Sequence, residues 1–457
     1  MRTLLLLLTL IFVSCNQAQE KISPSATLIS DVNIIDVRTG EIMQGRQIVI
    51  DSGKIKSISE QIPNADKFTK VIDGQGKYAV PGLAEMHAHI PSPNTSKERI
   101  EETLFLYLSN GVTTIRGMLG HPSHLVMREK ALKGELLSPR IFTSSPSLNG
   151  NSVPTPEIAR ERVIQYKNDG YDFLKIHPGI PLDAFDELVQ TANDVGITFS
   201  GHVPVAVGIN HALESKYASI DHVDGFLEGL VPEEENVNPA ENGFFGYAFT
   251  NLASTDKIPE LVQLSKDNKV WIVPTQSLFE RWFAPIGSDE LLAQPEMKYM
   301  PASTLAVWKN RKEQTTGTGS GFDKEQYATF DAIRLQLIKS LQENGHGLLL
   351  GSDAPQLFNV PGFSIHHEIS GMLRAKLTPL EILKSGTINP ARFFDMEDEF
   401  GEIKEGMDAD ILLVNNNPLE DISALKEVNG VMVRGTWLSK QTIDKKLAEI
   451  ASNAASN

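Results

Sequence analysis

The sequence predicts an α/β protein: a (β/α)8 barrel flanked by a small split β-sandwich formed by both chain ends. Three observations predict it. Eight short β-like segments recur through the middle of the chain, with amphipathic helical stretches between most of them. Other β-rich segments, punctuated by Gly- and Asp-containing turns, precede this alternation and return after it. Histidine, lysine and aspartate stand at the ends of five of the eight segments, where a barrel of this kind carries its chemistry.

Taken in order, the chain opens with "MRTLLLLLTLIFVSC", in which Arg2 precedes an apolar run from Leu4 to Val13. The run is too short to span a bilayer and reads as a signal peptide. Cys15, the single cysteine, follows a small residue, and "FVSC" resembles a bacterial lipobox. Residues 1–15 are therefore expected to direct export to the bacterial cell envelope, with lipidation at Cys15 anchoring the protein to a membrane. Residues 16–80 hold "ATLISDVNIIDV", "GRQIVIDSGKIKSIS" and "KVIDGQGKYAV", the first part of the small sheet. Its partners, "DADILLVNNNP" and "VNGVMVRGTWLS", lie within residues 396–457.

Residues 81–395 supply the barrel. Its strand candidates are "YAVPGLAEMHAH", "VTTIRGM", "RIFTSS", "DFLKIH", "GITFSGHV", "ASIDHVDG", "VWIVPTQS" and "GLLLGSDA". Helical stretches such as "PLDAFDELVQTANDVG" start at proline and stop at glycine, as helix termini should. About seventy residues separate the last two strands, too many for a plain loop. This insertion carries Trp282, Phe283 and Trp308. Residues 285–325 are open to two readings, a lid or substrate wall and plain surface packing.

Composition narrows the partners. With 42 Lys and Arg against 58 Asp and Glu, the net charge is −16, which disfavours nucleic acid and anionic surfaces. A lone cysteine excludes intramolecular disulfides and any multi-thiolate metal site. Metal must be held by imidazole, carboxylate or a modified lysine.

The strand ends offer such a set. His87 and His89 stand at i and i+2 of the first strand, so both imidazoles point the same way. The fourth strand offers Lys175 and His177, the fifth His202, the sixth His222 and the eighth Asp353. Neutral imidazoles bind borderline divalent ions. Two such ions can share a water, lower its pKa and polarise a carbonyl. Asp353 can bind metal and also move the proton, as general base and then general acid. A desolvated Lys175 can lose its proton and add CO2, giving an anionic bidentate ligand. Arg116 and His177 are candidate substrate contacts, Arg116 by gripping a carboxylate with its two-pronged guanidinium.

These motifs resemble those of the amidohydrolase superfamily, most closely its imidazolonepropionase-like and prolidase-like branches. The matching stretches are "VPGLAEMHAHI", "DFLKIH", "GHVPVAVGINHALESKYASIDHVDG", "GSDAP" and the C-terminal run beginning "LTPLEILKSGTINPARFF". The resemblance implies a TIM barrel holding two divalent metal ions, zinc being the leading choice. It implies His87, His89 and Asp353 on the more buried ion, His202 and His222 on the second, and carboxylated Lys175 bridging both. It implies hydrolysis of a C–N bond in a small-molecule substrate. A dipeptide is the first expectation, because an envelope enzyme meets peptides. A cyclic amide or lactone is the alternative, and a non-catalytic binding lipoprotein a further one. A homo-oligomer is compatible with a barrel of this kind. The chain departs from the family pattern in "HPGI" after Lys175, in Arg116-Gly117, and in Glu85. These departures bear on the substrate more than on the metal.

Overall fold

The computed structural model describes residues 26–61 and 67–456; Cys15 and the signal segment lie outside them. Five strands open the described chain: β1 (Thr27–Ile35), β2 (Ile42–Asp51), β3 (Lys54–Ser59), β4 (Lys70–Asp73) and β5 (Tyr78–Pro81). Seven strands form the barrel: β6 (Leu83–Ala88), β7 (Val112–Gly117), β8 (Arg140–Leu148), β9 (Phe173–Ile176), β10 (Thr198–Gly201), β11 (Ser219–Asp221) and β12 (Trp271–Val273). Three close the chain: β13 (Ile411–Val414), β14 (Val428–Val433) and β15 (Thr436–Ser439).

The small sheet runs β15-β14-β13-β5-β1-β2-β3, with β4 also pairing β1. It joins the two chain ends, because β13 pairs antiparallel with β5, Val414 opposite Tyr78 and Ile411 opposite Pro81. Ile29, Ile34, Ile48, Ile411 and Leu413 are among the residues of its own apolar core. Arg140 of β8 ties this sheet to the barrel through Asp408. Arg434 adds bonds to the carbonyls of Ala131 and Ser138.

The expected first barrel strand, "YAVPGLAEMHAH", is two strands. Tyr78–Pro81 belongs to the small sheet and Leu83–Ala88 to the barrel. The break falls at Gly82, where a Cβ would lie 2.1 Å from Thr113 Oγ1, so only glycine lets the chain pass between the layers.

The barrel strands are all parallel, in the order β6 to β12. Residues 347–354 fill the eighth position without forming a regular strand. On one side Leu349 N–H donates to Ile272 O (2.9 Å); on the other Met86 N–H donates to Leu350 O (2.8 Å) and Asp353 N–H to His87 O (2.9 Å). Side chains alternate about each strand. On β9, Leu174 and Ile176 join the main apolar core, while Lys175 meets Asp221 of β11 in the barrel interior. The helix Leu182–Val195 follows β9 and ends on Gly196 in the left-handed region at φ 67°, as the sequence predicts.

The insertion after β12 folds into helices Gln276–Phe283, Ser288–Leu292, Ala302–Thr316 and Lys324–Asn344. Trp308 is buried, and Trp282 donates from Nε1 to Thr315 Oγ1 at 3.0 Å. The C-terminal helix Lys440–Ala455 returns to the barrel, where Asn453 donates to Glu102 at 2.7 Å.

Candidate metal centre

Histidines from four parallel strands converge at one end of the barrel. His87 is the penultimate residue of β6 and His89 lies just beyond the strand; His177, His202 and His222 each follow the last residue of β9, β10 and β11. Their rings form a continuous line. Centroid distances are 5.4 Å for His89–His87, 4.6 Å for His87–His222, 4.7 Å for His222–His202 and 5.1 Å for His202–His177. Asp353 closes one end, with Oδ1 2.6 Å from His89 Nε2 and 3.4 Å from His87 Nε2.

Local backbone geometry aims these groups. Asp221 and His222 are adjacent, yet both face the site, because His222 (φ 66°) and Val223 (φ 55°) leave the strand conformation. Asp353 (φ 63°) and Thr275 (φ 46°) are also left-handed, a strain of about 1–3 kcal/mol each for non-glycine residues. Buried partners hold them there. Arg334, from the insertion, donates to the carbonyls of His222 (2.7 Å) and Pro274 (3.0 Å) and to Gln276 Oε1 (3.0 Å). Its guanidinium lies 3.5 Å over the Phe279 ring. Glu85 staples the first and eighth strand positions: Oε1 accepts from His87 N–H (3.1 Å) and Ser352 N–H (2.8 Å), and Oε2 from Ser352 Oγ (2.6 Å). Burial outweighs these bonds and pushes the Glu85 carboxyl up to about 8.

The outer ring nitrogens are fixed as metal-binding imidazoles require. His202 Nδ1 meets Asp224 Oδ2 at 3.0 Å, and His222 Nδ1 meets Thr275 Oγ1 at 2.8 Å. Burial pushes His87 down to about 4 and His222 well below the usual imidazole range, so both are neutral donors at pH 7. Burial acts to raise Asp353, but His87, His89 and Lys175 outweigh it and hold the carboxyl below its usual range.

The residues present fit a divalent cation. His87 Nδ1 is buried without a hydrogen-bond partner. The ligand atoms of His87, His89 and Asp353 lie within 4.8 Å of one another, and so do those of His87, Asp221 and His222. The first group is the expected one. The second includes Asp221, which the sequence reading passed over, where His202 was expected; the His202 ring packs beside it.

Asp221 organises the buried charges beneath the histidines. Its Oδ2 accepts from Lys175 Nζ (2.9 Å), its Oδ1 accepts from Arg116 Nη2 (3.0 Å), and His87 Nδ1 lies 3.4 Å away. Lys175, His87 and Arg116 together outweigh burial and hold the Asp221 carboxyl well below its usual range. This overturns the expectation for Arg116. It is fully buried, and its other nitrogens donate to Met86 O (2.7 Å) and Ser219 Oγ (2.8 Å). With each of its three nitrogens bonded inside the barrel and none of its surface exposed, the guanidinium is out of a substrate's reach. His177 does lie beside the centre, stacked on His202 with Nδ1 2.9 Å from Ser147 Oγ. His366 and His367 bond Asn110 and Glu296.

Asp221 and Asp224 were visible in "SIDHVDG", and Glu85 in "LAEMHAH", two residues before His87 on the same strand face. Arg334 and Phe245, whose ring lies 5.3 Å from that of His222, carried no local signal.

A model of the amidohydrolase family matches residues 78–273 and 308–438. The chain belongs to this family. Like other members it is a hydrolase, and the family binds divalent metals. The imidazolonepropionase of Colwellia psychrerythraea is 23% identical over 427 residues, covering 86% of this chain and 92% of that protein. The structure of a bottromycin amidohydrolase superposes with a TM-score of 0.72 at 22% identity, covering 94% of this chain and 90% of that one. A Xaa-Pro dipeptidase solved with methionine bound in its active site gives a TM-score of 0.65 at 21% identity, covering 91% of this chain and 100% of that one. These two likenesses establish the fold of this amidohydrolase. The family match stops at residue 273 and resumes at 308, so its gap falls within the insertion.

Proposed function

We propose that this amidohydrolase cleaves the C–N bond of a dipeptide. The observation that carries the reading is Asp353, ionised and 2.6 Å from His89, at the end of the line of imidazoles. Divalent ions, zinc being our leading choice, held by His87, His89, Asp353, His202, His222 and carboxylated Lys175, would polarise the scissile carbonyl and acidify a water. Asp353 accepts the proton of the attacking water and delivers it to the amine nitrogen as the C–N bond breaks. Glu85 keeps the segments bearing His87 and Asp353 in register while it does so. Lys175 adds CO2 at Nζ with release of a proton, and its remaining N–H still has Asp221 Oδ2 as acceptor.

Two considerations support a peptide. The solved Xaa-Pro dipeptidase shares the fold over 91% of this chain, and residues 1–15 read as an export signal. Lipidation at Cys15 places the enzyme on a membrane of the bacterial envelope. A cyclic amide is the second reading, favoured by the imidazolonepropionase that aligns with 86% of the chain.

The test is amine release by the full-length chain, supplied with zinc and bicarbonate, from dipeptides, N-acyl amino acids and cyclic amides. Cleavage of dipeptides, lost in His87→Ala, is the expected result. Ring opening without dipeptide cleavage would select the second reading. Silence from a metal-loaded protein would refute both. Mass spectrometry of Cys15 from bacterial membranes should show acyl chains; an unacylated Cys15 would refute the anchor.

A further inference from the structure

The chain between β11 and β12 brings an aromatic ring to the centre. Phe245 lies in the short helical stretch Phe244–Leu252. Its ring centroid is 5.3 Å from that of His222 and 5.7 Å from that of His202. It is only half-buried, although a large apolar ring gains most from full burial.

Its placement is held against local preference. Phe245 sits at φ 51°, ψ 45°, in the left-handed region, followed by Gly246 at φ 76°. A Cβ on Gly246 would lie 2.8 Å from Glu228 Oε2 and 2.9 Å from the Leu227 side chain, so the turn admits no side chain there. Behind Phe245 stand Phe244 at 4.4 Å and Phe279 at 5.0 Å. Phe244 continues to Trp282 at 4.4 Å, so the insertion buttresses the ring. A strained, buttressed and half-open aromatic beside two imidazoles is a surface built to be touched.

The surroundings have the same character. On its other side His202 is stacked by the flat ring of His177, at 28°. A neighbouring cavity of about 400 Å3 starts at the residue after His202; Val203, Ile209 and Phe249 line it together with the polar His211, Glu228 and Asn242, and the imidazoles of the centre do not. Arg116 and Arg334 spend their nitrogens on the barrel.

We infer that Phe245 sets substrate preference, and that the substrate group on the His202–His222 side of the scissile bond is an aromatic or bulky apolar side chain packed on its ring. The inference rests on the proposed amide hydrolysis for its kinetic readout.

The experiment compares wild type, Phe245→Ala and Phe245→Asn, the last because asparagine tolerates the left-handed conformation. Amides bearing Phe, Leu, Ala, Asp or Lys on either side of the bond are assayed for kcat/KM. Equilibrium binding of the same compounds is measured with the metal-loaded protein. Wild type should favour Phe over Ala by about tenfold at one position, as expected of an aromatic contact. Both variants should bring that ratio near one while small substrates change less than about threefold. Turnover with no apolar preference, or a preference that survives both substitutions, overturns the inference and leaves amide hydrolysis standing. Absence of turnover with Phe245-dependent binding of aromatic amides does the reverse. Absence of both turnover and selective binding overturns both.

Discussion

Replacing Arg116 by Met separates two roles that one residue cannot hold together. A substrate clamp would leave the fold intact and raise KM. The structure instead places Arg116 wholly inside the barrel, bonded to Met86 O, Ser219 Oγ and Asp221 at 2.7, 2.8 and 3.0 Å. Removing one partner of a buried ion pair costs about 3–5 kcal/mol when the other charge is left alone; Lys175 still reaches Asp221 Oδ2 at 2.9 Å, so that range is the ceiling. At roughly 2 °C per kcal/mol, the lower end for large domains, the unfolding midpoint should fall by up to ~6–10 °C. Arg116→Lys keeps the charge but not the fork of donors, and should fall in between. The assay is thermal unfolding of metal-loaded protein beside KM for the best substrate. A midpoint within about 2 °C of wild type together with a KM raised tenfold would refute the reasoning.

Other consequences are equally direct. Asp353→Asn should lower kcat by about 10²- to 10⁴-fold, measured beside metal content; retained turnover would remove Asp353 from proton transfer. Arg334→Met should weaken metal retention about 10- to 100-fold in chelator competition, since Arg334 holds the His222 backbone; unchanged retention would show that the left-handed turn at His222 stands without it. His124 is buried with neither ring nitrogen bonded, and burial, then His121 and His89, pushes it down to about 4. The unfolded chain therefore binds the proton first on acidification. This contribution to stability is complete above pH ~6.5 and is lost towards pH 4, at up to ~1.4 kcal/mol per pH unit. His124→Phe should be less acid-sensitive than wild type by that slope in denaturant titrations, and equal slopes would refute the assignment.

Much of the site was legible in the sequence because its ligands are local to strand ends. His87 and His89 share a face through the two-residue period of a strand, and each further strand end carries its own donor. The small sheet was legible through its β-rich segments and turns; its junction with the barrel was marked only by Pro81-Gly82, a turn-type dipeptide set between apolar residues that together pass for one strand. Arg116 was misread for a related reason. On a parallel strand with both faces buried, inward and outward residues look alike, and only the neighbouring strands show that Asp221 and Ser219 bond its guanidinium inside the barrel.

By itself the sequence determined the barrel class, the split sheet and the set of histidines, lysine and aspartate at the strand ends, because these follow from periodicity and residue chemistry along the chain. The tertiary structure alone decided which groups those ligands lean on. Asp221 reaches Lys175 and Arg116 from another strand, Arg334 holds His222 from 112 positions away, and Phe245 meets two imidazoles through a left-handed turn. Such contacts depend on closing the barrel, which brings together side chains that no local pattern relates.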